Sequence, residues 1–479
     1  MLQDQLQFGK WSLSVFAASF FLSVAAFIAT DFYPLLLLPL LALFIILMKE
    51  NWKAAYWVLL FTLPLSVHVY IDNQTLSITL PSQPIMWLFL LLSIFLFASN
   101  PASVPKWWLF NPVVLIVLLQ FIWLIVASAY SKVPLLSFKF LLSKTWFLAS
   151  FFLLPLWIFK KKEDFKKGFL LMLIPIAFTM LIIMIRHASV DFRFKDIELA
   201  VGKVYYNHVE YSSVISMFFP LVYLAFSMTK GKMKKILFLL LLFFIVATFF
   251  AFARAAFVAI AFAFIVGWFI KKKWVNILMP GIYGLLALTV VYLAQEKRFL
   301  ELRPEYQKTY MRTQFADHML ATFKGRDVSS MERLYRWIAA IRMSEESPLT
   351  GFGPHAFYHY YKQYALADFA TYSSENPEKS TTHNYLLHQL AEQGYPAMLL
   401  YALIYIVAFA MAQRTYHRFE DIFYKKCTLG LAMVLTAGFI NNFFSELIET
   451  PKVGALFYLS LSLLIILHQK SIKGKLEKP

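Results

Sequence analysis

Runs of about 16 to 22 apolar residues follow one another along most of this chain, and that feature constrains its fold more than any other. About 20 such residues, wound as a helix, span the ~30 Å hydrocarbon core of a bilayer. Inside lipid every backbone amide and carbonyl must find a partner within the structure, which leaves only helices and closed barrels. The alternating ten-residue pattern of barrel strands is absent. The chain is therefore read as all-α, a polytopic membrane helix bundle. Composition agrees: 60% of residues are hydrophobic, 15% are charged and the mean hydropathy is +0.63, against about 45–50% apolar and 25% charged in soluble domains.

Fourteen spans are read (twelve to fourteen as a range), near 11–29, 32–48, 54–70, 84–99, 108–129, 140–159, 168–185, 209–228, 236–252, 255–270, 275–294, 395–412, 427–444 and 453–468. The first is too long and too weakly flanked by basic residues for a cleaved leader, so it is expected to stay. Residues 236–270 are nearly unbroken apolar sequence except for Arg254. A single helix would strand that charge at mid-bilayer, costing about 2.5–3.5 kcal/mol. A hairpin with Arg254 in its turn is expected instead.

Short loops rich in Lys and Arg stay cytoplasmic. Counting from an inside N-terminus, the inside segments, with Lys10, Lys106 and the tail from Gln469, hold 24 of the 45 basic residues. The alternation runs without a reversal, so both termini are expected in the cytoplasm. The net charge of +18 thus reflects basic loops, and no nucleic acid is expected as a partner. The chain divides into helices 1–11 (1–294), one long, mostly helical periplasmic loop (295–384), and helices 12–14 with a basic tail (385–479). The loop holds 11 acidic and 12 basic residues. From Glu332 to Met343 it reads as an amphipathic helix with Leu334, Trp337 and Ile341 on one stripe. PLTGFGP (348–354) supplies turn signals, and the polar stretch 371–384 would suit a mobile gate.

On this topology the polar groups gather on one face. They are Lys203 and YYNHVEYSS (205–213), Arg254, Arg333 and Arg336, THNYLLHQLAEQG (382–394), and Asn441, Asn442, Glu446 and Glu449. Each has an ordinary explanation. Arg254 could snorkel to head groups, Asn207 and His208 could cap a helix, and Arg333 and Arg336 could form a solvated face. His383 could be a plain loop histidine, and Glu446 and Glu449 could pair with Lys452 or an arginine. Together they describe a cavity with guanidiniums that suit a pyrophosphate and an imidazole able to accept a proton. Cys427 is the only cysteine, which excludes intramolecular disulfides and cysteine cages. His/Cys metal spacing, a Walker loop and a Rossmann turn are all missing, so neither metal nor cofactor is expected.

These residues resemble the O-antigen ligase and O-antigen polymerase superfamily, bacterial membrane enzymes that move glycans from undecaprenyl pyrophosphate. The resemblance rests on His383-Asn384, nine residues and Gly394; on ERLYRWIAAIRMSEESPLTGFGPHAF (332–357); on ARAAF (253–257); and on the asparagine-led YYNHVEYSS. Pro396-Ala397 departs from the ligase pattern, and fourteen spans exceed the twelve of a typical lipopolysaccharide ligase.

The resemblance implies a metal-independent, inverting glycosyltransferase in the bacterial inner membrane with its active site facing the periplasm. His383 would be the catalytic base. Arg254, Arg333 and Lys203 (or Arg193 in place of Lys203) would bind the donor pyrophosphate. Asn207, His208, Arg336 and Asn384 would line the site, and Glu392 would be structural. The implied partners are an undecaprenyl-pyrophosphate-linked glycan donor, membrane lipids, and a lipid A-core, glycan or protein acceptor. A polysaccharide polymerase of the same superfamily is the alternative. A lipid-glycan flippase is less favoured, since most spans are clean at their centres and the halves show no repeat. A peptidoglycan polymerase shares the lipid-pyrophosphate logic but fits the His383-Asn384 loop less well.

Overall fold

The computed structural model describes residues 18, 21–23, 38–72, 76–296, 298, 328–366 and 381–476. Among them eleven helices are long and apolar enough to cross a membrane. These match the fourth to fourteenth expected spans one for one, and the first expected span lies almost wholly outside the described residues.

The region of the second and third expected spans is different. Helix α1 (Leu38–Thr62) is broken at Asn51 (φ −154°, ψ 80°), whose side chain accepts from Ala54 N at 3.1 Å and caps the second piece. The helix ends at Thr62 rather than near residue 70. Val67–Asp72 (β1) pairs antiparallel with Leu76–Leu80 (β2), with Val67 opposite Leu80 and Val69 opposite Ile78. Pro64 cannot continue a helix, and the β-branched Val67, Val69, Ile78 and Thr79 fit a pleated ribbon. The fold is therefore the expected helical membrane bundle with one small hairpin added, and one broken helix stands where two spans were expected.

The remaining principal helices are α2 (Ser82–Ser99), α3 (Pro112–Ala129), α4 (Pro134–Phe147, carried by a wider turn to Ile158), α5 (Lys162–Ala188), α6 (His208–Met228), α7 (Gly231–Phe250), α8 (Arg254–Lys271) and α9 (Val275–Ala294). They continue with α10 (Val328–Glu346), α11 (Tyr385–Arg418), α12 (Ile422–Phe443) and α13 (Pro451–Leu476). Local chemistry sets several starts. Asn111 accepts from Val113 N at 3.0 Å, Asn207 from Glu210 N at 2.8 Å, and Asp421 from Phe423 N at 2.9 Å. Each satisfies an amide that the first turn leaves unpaired.

Helix α12 runs through the centre of the bundle, buried along most of its length. Helix α8 meets it with Ala256, Ala259, Ala263 and Gly267, all buried. A Cβ on Gly267 would lie 3.3 Å from Met433 Sδ. Small side chains allow this close approach where lipid removes the usual hydrophobic drive. Large exposed side chains such as Phe95, Ile122, Leu239 and Ile277 form the apolar outer surface expected against lipid.

The two ends of the bundle differ in chemistry. At one, the basic short loops touch each other: Lys162 pairs with Asp421 at 2.5 Å, Lys426 Nζ donates to Ser227 O at 3.1 Å, and His417 Nε2 contacts Ile270 O at 2.9 Å. At the other, Lys132 N donates to Phe352 O and His68 N to Lys203 O, both at 2.9 Å. Helix α10 lies at this second end over its own small core of Tyr335, Ala339, Ala340, Met343, Phe352, Phe357 and Tyr361. Its deep face is thus Tyr335, Ala339 and Met343, while Leu334, Trp337 and Ile341 are only half-buried. Alanines let the helix sit close to the aromatic turn, which ranking positions by side-chain hydrophobicity does not reveal.

Candidate functional site

Helix α11 starts at the Asn384 cap, whose side chain accepts from Leu387 N at 3.1 Å. It runs nine residues, about 13.5 Å at 1.5 Å per residue, and breaks at Gly394 (φ 76°, ψ −177°). The break frees carbonyls, and the turn 348–357 takes them up. Phe352 N donates to Ala391 O at 3.0 Å and Gly353 N to Glu392 O at 2.8 Å, while Tyr395 N donates to Pro348 O at 2.9 Å. Trp123 of α3 donates to Gln393 O at 2.8 Å. The approach is so close that a Cβ on Gly394 would lie 1.9 Å from Leu349 O. One on Gly351 would lie 2.3 Å from Glu392 C, and one on Gly353 1.9 Å from Ser131 Oγ. The two glycine-bearing segments of the sequence are therefore two halves of one interlock. Glu392 closes it. Buried, it accepts from His355 N at 2.8 Å and Phe357 N at 3.0 Å, with His388 Nε2 at 3.2 Å.

His383 stands just ahead of the short helical piece with φ 51°, in the left-handed region that non-glycine residues rarely occupy. Its neighbours hold it there. Trp337 of α10 donates to Thr382 O at 2.9 Å, Thr382 Oγ1 to Asn384 O at 2.8 Å, and Asn384 N to Thr382 Oγ1 at 3.2 Å. A backbone held in such a conformation by surrounding contacts is a pointer to function.

The imidazole, 31% exposed, faces Glu446 with Nδ1 4.0 Å from Oε2. That distance is long for a direct hydrogen bond but close enough for strong charge coupling. Glu446 Oε2 is buried with no hydrogen-bond partner among the described residues. Burial pushes the His383 pKa below the usual imidazole value, Glu446 opposes the shift, and the Arg333 and Arg336 guanidiniums add to it. The ring is thus held neutral near pH 7, able to accept a proton. Arg336 is itself buried, its Nη2 3.7 Å from Glu332 Oε2, so it does not belong to a solvated helix face.

Glu446 belongs to the turn between α12 and α13, where Asn442 Oδ1 accepts from Ile448 N at 2.7 Å. Asn441 Nδ2 ties the same helix end to Ser216 Oγ of α6 at 2.9 Å. The pairing of Glu446 with His383 joins positions 63 residues apart, and no local pattern signals it.

Arg254 is the first residue of α8, half-buried, directly after the tight turn in which Phe252 has φ 53°. That is the hairpin expected from the interrupted apolar run. Rings of Phe250, Phe252, Phe192 and His187 pack around the turn. Asn207 caps α6, and His208 Nδ1 pairs with Glu198. Lys203 is exposed and its carbonyl holds the β-hairpin through His68. Lys203, Asn207 and His208 thus share the end of the bundle with His383, but Lys203 is joined to the hairpin, Asn207 to Glu210 and His208 to Glu198. Among the described residues no group of three or more His, Cys, Asp or Glu side chains is arranged to hold a metal.

Residues 236–402, from α7 through the first part of α11, match the family model described as O-antigen ligase. The matched stretch contains Arg254, Arg333, Arg336, His383 and Gly394. A search of the curated proteins finds none that matches.

Proposed function

We propose, for a chain whose residues 236–402 match the O-antigen ligase family model, that it transfers a glycan from undecaprenyl pyrophosphate to a lipid A-core hydroxyl at the periplasmic face of the bacterial inner membrane. One observation carries this reading. The imidazole of His383, inside the family-matched stretch, is held in a constrained backbone 4.0 Å from the Glu446 carboxylate, which lies beyond that stretch, and within the electrostatic reach of the Arg333 and Arg336 guanidiniums. In the proposed step Glu446 favours the tautomer with the proton on His383 Nδ1, leaving Nε2 to take the proton of the acceptor hydroxyl. The hydroxyl oxygen then bonds to the anomeric carbon with inversion, as the bond from that carbon to the pyrophosphate breaks. Arg254 and Arg333, with Lys203, take up the charge that develops on the departing pyrophosphate.

Two results are expected. Arg254→Ala lowers transfer by about 10²–10³-fold in a reconstituted assay, because the guanidinium meets developing charge, while the purified variant remains monodisperse. Wild-type turnover in that variant would remove Arg254 from the mechanism. Second, the acid limb of kcat/KM lies below the ordinary imidazole value of about 6.5, since only neutral His383 accepts a proton and its pKa is lowered. Glu446→Gln removes the group that opposes that lowering, so the limb moves to still lower pH as the rate falls. A limb at or above 6.5 would contradict the role of His383.

A surface-polysaccharide polymerase uses the same donor chemistry with a growing glycan as acceptor, and deletion of the gene separates the two. Loss of polymer from the lipid anchor, with long chains kept on the carrier, marks a ligase. A single-repeat product marks a polymerase.

A further inference from the structure

A lysine inside a membrane-spanning helix is expensive and needs a partner. Lys144 of α4, with a side chain 10% exposed, has Nζ 2.8 Å from Glu449 Oε2. The Tyr385 hydroxyl donates to the other oxygen of the same carboxylate. The Tyr458 ring of α13 lies 5.5 Å from the ammonium. Beside the pair, Gln120, Gln389 and Gln393 help line a small cavity of about 20 Å³, room for a water.

The pair sits where the two halves of the proposed catalytic couple are anchored. Tyr385 follows His383 by two positions. Glu449 follows Glu446 by three, in a single turn closed by Glu449 N donating to Glu446 O at 3.2 Å. Fixing Glu449 to Tyr385 therefore fixes the turn that carries Glu446 against the loop that carries His383. We infer that Lys144 is a positioning residue: through Glu449 and Tyr385 it holds Glu446 at its 4.0 Å distance from His383. This rests on the reading of His383 as the base. The charged groups facing His383 are Glu446 from the α12–α13 turn and Arg333 and Arg336 from α10. Lys144 acts only through the first.

The test needs no glycan. Diethylpyrocarbonate acylates neutral imidazole, so its rate at His383 against pH, followed by peptide mass spectrometry on the full-length protein in nanodiscs, reads the ring's protonation. Lys144→Met and Glu449→Gln are expected to move the midpoint to lower pH by roughly half a unit, about a three-fold change in the protonation constant. Lys144→Arg leaves it in place, and Lys144→Met adds nothing on top of Glu446→Gln. Tyr385→Phe, which removes one hydroxyl and keeps the ring, shifts it in the same direction and serves if Lys144→Met does not fold. An unmoved midpoint in Lys144→Met and Tyr385→Phe, or a full extra shift in the Glu446→Gln background, overturns the inference. If His383→Ala transfers glycan at the wild-type rate, it is the catalytic reading that fails, whatever the labelling shows.

Discussion

Replacement of His383 by asparagine is expected to cut glycan transfer by about 10²–10⁴-fold, the range supplied by a positioned base, while leaving the fold intact or slightly steadier. The argument turns on the backbone. His383 sits at φ 51°, a conformation that costs most residues roughly 1–3 kcal/mol and that asparagine adopts more readily. A residue retained only for its place in the loop would be improved by that exchange. A residue retained for its imidazole would not. Measuring the thermal midpoint and the transfer rate on the same purified variant separates the two cases. Unchanged stability with unchanged turnover would mean that the ring is dispensable and that the constrained loop serves some other purpose.

The second large effect is structural. Gly394→Ala is expected to open the interlock between α11 and the turn 348–357 and to lower stability and transfer together. Alanine at φ 76°, ψ −177° occupies a region essentially reserved for glycine, and its Cβ would lie 1.9 Å from Leu349 O. Strain of about 1–3 kcal/mol adds to a similar cost of about 1–3 kcal/mol for overpacking. The sum of about 2–6 kcal/mol is a large share of a total stability of about 5–15 kcal/mol, and since a backbone oxygen at 1.9 Å cannot give way in place, the interlock opens locally. Gly281→Ala in α9 is the control: a Cβ there meets nothing within 4 Å, and it should be neutral or mildly stabilising. Size-exclusion profiles and thermal midpoints of the two variants make the comparison. Equal profiles would show that the turn 348–357 does not depend on its approach to α11.

The long helices were readable in advance because lipid leaves the backbone one economical solution, and residues 82–294 and 395–468 contain little but spans and their polar loops. Arg254 could be located for the same reason, since a charge within 35 apolar positions forces a turn. The β-hairpin was not readable. Residues 54–70 have the hydropathy of a span, and only Pro64 with the β-branched Val67 and Val69 hint at the ribbon. In α10 the deep face is set by Ala339 and Ala340, whose value lies in how little space they take. The partner of His383 was hidden more thoroughly. Glu446 and Glu449 stood out as polar groups at a helix end, yet which basic group each faces is decided by the packing of α4, α11 and α13. Such pairings follow from three-dimensional adjacency and leave no spacing rule behind.

The interlock between α11 and the turn 348–357 bears on the order in which the molecule can assemble. Glu392 and the carbonyls just before Gly394 take donors from residues of the turn 35 to 39 positions earlier in the chain. Those donors can dock only once the piece 385–393 exists to receive them. Neither segment is complete alone, because each would bury polar groups without partners. They must therefore close as one cooperative unit. The loop that presents His383 gains its constrained backbone only when α10 is seated as well, since the Trp337 bond is part of what holds it. On the proposed reading of His383 as the base, spans in place do not suffice, because the loop also awaits the docking of α10.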